Sequence, residues 1–368
     1  MISAILQPRF EILSLPAEPA DEPLRRSFLA ALPPLSEETA ARVVSVSFLA
    51  GAGTRWRASL LEAKRAPKAW PAGMAWPVDD VARAFPLEMP RGLFPVPDFI
   101  HSARGEGRIA MAAYAFDAVR DTGWHIVVIR GWEAEIDAQV LGPVGIPLEK
   151  RIFFTQTPGA DGQVSGHGDA AMQCMGLWQD ARYVVTNFAG DANSWITVEL
   201  ALRAFVQFDV RGIEIGVLIP VAHTERPSYP VYLDQNGLPV GFRHEKLAAS
   251  SSKAAPTTYA STTFTNVGIR VYRSDWLRSA LLELREKYYY DGPDGEVGWH
   301  IPGNDPAKHE CALDNVDNLL AEKRLARVMP ISLPRELTPF KALGEYPAFV
   351  QAVQEVQQEI RAVRQGAY

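Results

Sequence analysis

The sequence predicts an α/β protein with a Rossmann-like, mostly parallel sheet and helices on both faces. Three observations carry the prediction. Strands and helices alternate from about residue 42 to 190, the order of successive βαβ units. The strands in that stretch are apolar and nearly free of charge, as strands covered on both faces are. A glycine-rich turn, Gly51-Ala52-Gly53-Thr54-Arg55, follows directly on the first strand.

Residues 1–41 form an N-terminal extension rich in proline and acidic residues. Pro16 to Pro23 reads as a linker, and Ser36-Glu37-Glu38 as the start of a short helix. The first strand is Arg42-Val43-Val44-Ser45-Val46-Ser47-Phe48-Leu49. Residues 56–90 mix tryptophan, proline and charge without clear periodicity and read as an insertion. Residues 108–121 are helical in pattern and 124–129 a buried strand. A short strand at 152–155, a helix at 170–179 and a strand at 183–188 follow.

The second half has a different texture. A strand at 217–220 precedes Val231-Tyr232-Leu233 and Val240-Gly241-Phe242, two runs joined through Asn236-Gly237, which reads as a hairpin. Residues 248–258 are small and polar, a loop. A strand at 267–272 and helices at 276–287, 319–328 and 346–364 complete the chain. The main domain is therefore 42–330, with a small β-rich portion at about 213–275, and residues 331–368 form a C-terminal helical segment.

The bulk properties exclude several classes. Of 368 residues, 47% are hydrophobic, enough for a large core. The net charge of −6, with no basic tail, argues against nucleic acid as a partner. The two cysteines, Cys174 and Cys311, are far apart, so neither a disulfide framework nor a thiolate metal site is expected. No histidine pair has zinc-site spacing. No apolar run approaches the about 20 residues of a membrane helix. The first ten residues lack a basic start followed by an apolar run, so no secretory signal is expected and a cytoplasmic location is.

The turn at Gly51–Arg55 carries the sharpest chemistry. Glycines at the end of a parallel strand let backbone N–H groups approach a phosphate, and Arg55 adds a fork of donors. Neither a Walker A loop nor the complete dinucleotide fingerprint is present.

The G-x-G-T-R run resembles the start of the sugar-nucleotide pyrophosphorylases, of the nucleotide-diphospho-sugar transferase superfamily. Further segments resemble that family in the same order. These are Pro90-Arg91-Gly92-Leu93-Phe94-Pro95-Val96, Gln156-Thr157-Pro158 with Gly166-His167-Gly168-Asp169, and Asn187-Phe188-Ala189-Gly190-Asp191. They continue with Glu245-Lys246, Phe264-Thr265-Asn266-Val267-Gly268-Ile269 and Leu313-Asp314-Asn315-Val316-Asp317-Asn318-Leu319. The G-H-G-D stretch is closest to the uridylyltransferases.

The resemblance implies a nucleotidyltransferase that joins a nucleoside triphosphate, UTP by preference, to a sugar 1-phosphate and releases pyrophosphate. It implies nucleotide contacts from Ala50, Gly51, Gly53, Thr54, Gln156, Gly166 and His167. Sugar-phosphate contacts fall to Gly190, Glu245, Lys246 and Asn266 within the β-rich portion and beside it. Magnesium would be held by Asp191 and Asp314, each expected at a strand end. Arg55 is a catalytic cation. The family's lysine is replaced by Arg91, and Lys64 and Lys68 are alternatives by spacing.

Structural alternatives stand beside these roles. Asp191 and Asp314 could be helix caps, and Glu245-Lys246 a solvated pair. The replacement of lysine by Arg91 leaves open a catalytically impaired regulatory module that binds the same ligands. A glycosyltransferase of the same broad fold is a third reading, but Asp191-Ala192-Asn193 only approximates its D-x-D motif.

Overall fold

A computed structural model describes residues 21–49, 53–65, 78–159, 162, 164–225, 227–242, 263–291, 297–304 and 309–366. The strands are β1 (Val43–Phe48), β2 (Pro95–Pro97), β3 (Arg108–Ala110), β4 (Trp124–Ile129), β5 (Arg151–Thr155), β6 (Tyr183–Phe188) and β7 (Val217–His223). They continue as β8 (Val231–Leu233), β9 (Pro239–Phe242), β10 (Phe264–Asn266), β11 (Arg270–Arg273), β12 (Tyr289–Asp291), β13 (Val297–Trp299) and β14 (Ala326–Ser332). Eight of them make the central sheet, in the path β10-β7-β11-β6-β1-β4-β5 with β14 also paired to β7.

β1 pairs in parallel with β4 and β6, β4 with β5, and β14 with β7. β10 and β11 run antiparallel to β7, and β11 is antiparallel to β6 as well. The sheet is therefore mixed, and the mainly parallel reading holds for its βα half. The strand expected at 267–272 is broken: Val267, Gly268 and Ile269 leave the ladder between β10 and β11, with Gly268 at φ +88°.

Alternation along the strands explains the two helical layers. Val44, Val46, Ile126 and Val128 point into one core with residues of the helices Gly166–Gln173, Ser274–Tyr288 and Leu313–Glu322. Val43, Val185 and Leu218 point the other way, toward helices Glu22–Ala31, Trp195–Val210 and Tyr346–Arg364. Each face removes a continuous apolar surface from water, which is what holds an α/β sheet between its helices.

Four expectations change. Residues 54–65 are a regular helix whose Trp56 and Leu60, four apart on one face, are buried, and Val78–Ala84 is a second helix, so the described parts of 56–90 are more regular than their pattern suggests. Residues 108–110 form β3, paired with β2, and the helix is Ala113–Val119. Residues 326–332 are β14 rather than the end of a helix. Pro23 lies inside helix Glu22–Ala31, capped by Asp21, so the linker reading fails there. The remainder of that linker lies outside the described residues. The short helix at Glu37–Ala41 and the hairpin of β8 and β9 appear as expected.

The first and last of the described helices are tied together through a buried ion network. Arg25 reaches Glu336 (2.6 Å) and Glu359 (3.1 Å), all three side chains being at most 1% exposed. Glu336 also accepts from Ser194 N–H and Thr197 Oγ1, at the start of helix Trp195–Val210. A second tie is aromatic: Trp56 packs edge-on against Phe94 (4.9 Å) and Phe340 (5.4 Å), joining helix Thr54–Arg65 to the C-terminal segment.

Candidate active site

The chain leaves β1 toward β4 and β5, then returns to lay β6 on the other side of β1. Connections therefore diverge at the carboxyl ends of β1 and β6, where a crevice forms in open α/β sheets and ligands bind. Phe48 and Phe188 are paired in register at that edge. Gly53 follows β1 with φ +61°, a left-handed backbone that glycine adopts freely, and helix Thr54–Arg65 starts at once. Arg55 is exposed in the first turn of that helix, the end that favours anions.

Arg91 reaches the same edge from a 3-10 turn, Arg91–Leu93. It is half-buried, and its guanidinium bonds to no described residue. A Cβ on Gly190 would overlap that guanidinium, so glycine is needed at 190 for the approach of Arg91 to the backbone after β6. Burial lowers the Arg91 pKa, and Asp191 and Glu345 oppose that shift while Arg55 adds to it. Arg55, Arg91 and Asp191 thus form one electrostatic group.

Asp191 is the centre of the group. It is partly buried, and its carboxylate has no hydrogen bond to a described residue. Burial raises its pKa, while Lys341, Arg91 and Arg270 pull it down and Glu345 pushes it further up. It does not cap the next helix, because Ser194 does, accepting from Ile196 N–H at 3.2 Å. Gly268 presses on it: an added Cβ would lie 2.9 Å from Asp191 Oδ2 and 3.0 Å from the Phe188 ring.

Lys341 and Glu345 come from the C-terminal segment, and nothing in the sequence pattern marks them. The segment is fastened beside Asp191 by an isolated bridge from Asp191 to Pro339 and by Phe340 N–H donating to Gly190 O (3.0 Å). Glu345 accepts from the backbone N–H of Lys341 and Ala342, and Ser59 Oγ accepts from Leu343 N–H. Lys341 Nζ donates to Tyr229 Oη at 2.8 Å.

Asp314 lies in the first turn of helix Leu313–Glu322, not at a strand end, and Ala312 occupies the cap position. Its Oδ1 accepts from Arg270 Nη2 at 2.5 Å, while Arg270 Nε donates to the buried Asp317 at 2.7 Å. Arg270 also lies over the Phe188 ring. Asn266 uses its Oδ1 to hold Gly268 N–H (2.8 Å), which leaves its Nδ2 as the group it offers a ligand.

The G-H-G-D run packs on residues 311–313. A Cβ on Gly166 would lie 2.5 Å from Cys311 O, and one on Gly168 2.8 Å from Cys311 Sγ, so close packing requires both glycines. His167 Nδ1 accepts from Leu313 N–H (2.8 Å), placing the proton of its neutral ring on Nε2, and its ring meets Phe188 edge-on at 4.8 Å. Gln156 is buried and donates to Gly166 O (3.1 Å). Asp169 accepts from Trp299 Nε1 and Gln173 Nε2.

Lys64 is not brought to this place. It lies in the last turn of helix Thr54–Arg65, about 14 Å along the axis from Arg55, and donates to Arg83 O. Ala50, Gly51, Lys68, Glu245 and Lys246 lie outside the described residues, as does the side chain of Thr54.

Among the described residues no three His, Cys, Asp or Glu side chains converge as a metal cage. Magnesium asks for less, one or two carboxylates completed by substrate phosphates and water. Asp191 fits that demand, since its carboxylate carries a desolvation penalty that a bound cation would relieve. Asp314 fits it with the oxygen not engaged by Arg270. No helix among the described residues is long and apolar enough to cross a membrane.

The chain matches no protein-family model, and no curated protein matches it.

Proposed function

We propose that the chain is a nucleotidyltransferase that transfers a nucleoside monophosphate, from UTP by preference, to a sugar 1-phosphate with release of pyrophosphate. One observation carries the reading. Asp191, a carboxylate with no hydrogen-bond partner among the described residues, stands among Arg91, Lys341 and Arg270 at the carboxyl edge of β6, beside the Gly53–Arg55 turn of β1. Cations gathered around a carboxylate at a switch point suit two phosphate-bearing substrates. The preference for UTP rests on the G-H-G-D resemblance.

In this reading the attacking sugar-phosphate oxygen forms a bond to the α-phosphorus. The bond from that phosphorus to the β-bridging oxygen breaks, and pyrophosphate leaves with the electron pair. No base is needed, because the nucleophile is already an anion. The protein supplies alignment and positive charge. Arg55 and the helix start behind it face the leaving phosphates, and Arg91 bridges toward Asp191. Magnesium, held by Asp191 and by the second oxygen of Asp314, would supply charge neutralisation at the α-phosphate. His167 and Gln156 are placed to orient the nucleotide, and Asn266 Nδ2 to meet a sugar hydroxyl.

The test is a pyrophosphate-release screen of the four ribonucleoside triphosphates against a panel of sugar 1-phosphates with magnesium. Release with UTP and at least one sugar 1-phosphate is expected. Tight nucleotide binding with no release from any pair would replace this reading with the regulatory module.

A further inference from the structure

The C-terminal segment does more than cover the sheet: it sets a cation, Lys341, beside the loop after β6. Three walls meet at Lys341. The loop after β6 is held by Phe340 N–H on Gly190 O and by the Asp191–Pro339 bridge. The helix that starts at Thr54 is held through Leu343 N–H on Ser59 Oγ. The β-rich portion is held through Lys341 Nζ on Tyr229 Oη, with the ammonium 5.2 Å from that ring's centroid. Tyr229 is in turn fixed against β10, its N–H on Thr265 Oγ1 and its carbonyl accepting from Asn266 N–H.

We infer that Lys341 is a catalytic residue, the lysine that contacts the phosphate of the sugar 1-phosphate, and that Tyr229 is its positioning residue. The inference rests on the nucleotidyltransferase reading and adds a second cation to Lys246, which the resemblance assigns to the sugar phosphate. Arg91 occupies the motif position where a lysine was expected. Lys341 is the largest cationic influence on Asp191, yet forms no ion pair with it within 4.0 Å among the described residues. Among the described residues its side-chain hydrogen-bond partner is the neutral Tyr229 phenol and not a carboxylate, so the ammonium can pair with an incoming anion. Arg55 and Arg91 stand on the β1 side of Asp191, whereas Tyr229 and Asn266 place Lys341 on the β10 side, where the sugar half of the substrates belongs. There the ammonium offsets repulsion between the attacking phosphate and the triphosphate as they close. An effect of that kind grows toward the transition state and lowers kcat as well as binding when removed.

Lys341→Met, Lys341→Arg and Tyr229→Phe are compared with the wild-type chain, with thermal melting as the control for folding. Steady-state rates are measured against UTP and glucose 1-phosphate. Inorganic phosphate binding is measured by calorimetry, which needs no turnover. Lys341→Met is expected to lose about a hundredfold in kcat and to raise the KM for the sugar 1-phosphate, with the KM for UTP moved less than about threefold. Lys341→Arg should recover part of the loss, and Tyr229→Phe should lower kcat without abolishing it. Both variants at Lys341 should weaken phosphate binding. A folded Lys341→Met with wild-type rates and phosphate affinity would overturn the inference while leaving the transferase reading in place. A wild-type chain that turns over no pair but loses phosphate binding in Lys341→Met would overturn the transferase reading and keep Lys341 as an anion-binding residue. Phosphate binding absent from the wild type, with no turnover, would overturn both.

Discussion

Gly268, just before β11, lies against Asp191, just after β6: the space a side chain at 268 would fill is already taken by the Asp191 carboxylate, 2.9 Å from where a Cβ would stand. The backbone at 268 is left-handed as well, at φ +88°. Gly268→Ala should therefore destabilise the fold by roughly 1–3 kcal/mol, from backbone strain and the displaced carboxylate together. Denaturant unfolding checks it. An unchanged midpoint would mean that Asp191 is free to swing away, and that its position is not enforced.

Asp191→Asn should remove function without removing stability. Burial raises the pKa of this carboxyl, so the folded state binds its proton more tightly than the unfolded state does. Its ionised form is therefore a burden on the fold at neutral pH, and neutralising it is expected to leave stability unchanged within about 1 kcal/mol, or higher. Magnesium-dependent pyrophosphate release should fall by about a hundredfold or more. Near-normal rates at limiting magnesium would remove Asp191 from the metal role.

Arg55→Ala should slow turnover far more than it weakens nucleotide binding. Charge builds on the leaving pyrophosphate as its bond to the α-phosphorus breaks, and a preorganised donor there is worth about a hundredfold in rate. Arg55→Lys should recover only part, because an ammonium lacks the bidentate fork. Because Arg55 is exposed, neither change should affect folding. A variant that loses affinity alone, with kcat intact, would place Arg55 in ground-state binding.

His125 gives the fold an acid-sensitive point away from the crevice. It is fully buried on β4, with Nδ1 against Ser45 Oγ (2.9 Å) and no partner for Nε2 among the described residues, and burial lowers its pKa from 6.5 to about 4. The unfolded chain takes up its proton first as pH falls. Stability from this group is therefore whole above pH 6.5 and drains away between 6.5 and about 4, by about 3 kcal/mol at most. Unfolding free energies of the wild type and His125→Gln across that window should diverge in slope, with the variant shallower. Parallel curves would show that His125 is not kept neutral by its surroundings.

Much of the architecture was legible because local pattern and burial agree. Val43 to Phe48 is uncharged and broken only by Ser45 and Ser47 because it lies in mid-sheet, and Asp191 was visible because it closely follows such a strand. Long-range assembly was not legible. Arg270 sits in a strand and meets Asp314 and Asp317 through the fold alone, and Lys341 follows no motif. The residues 326–332 were hidden because a buried strand and a helix end share an apolar composition. Gly166 and Gly168 carry a double meaning: the motif suggests nucleotide contact, while packing against Cys311 already requires glycine at both positions.

The tie between Arg25 and Glu336 spans 311 residues, and that separation becomes a delay during synthesis. At about 5–20 residues per second, roughly 15–60 s pass between the emergence of the two side chains from the ribosome. Until Glu336 and Glu359 follow, the first described helix carries a guanidinium whose buried counter-charges do not yet exist, and the apolar side of that helix has no complete seat. The seat of this helix is thus complete only once Glu359 has been made. A nascent chain stopped after β14 would own every strand of the sheet and still lack Lys341.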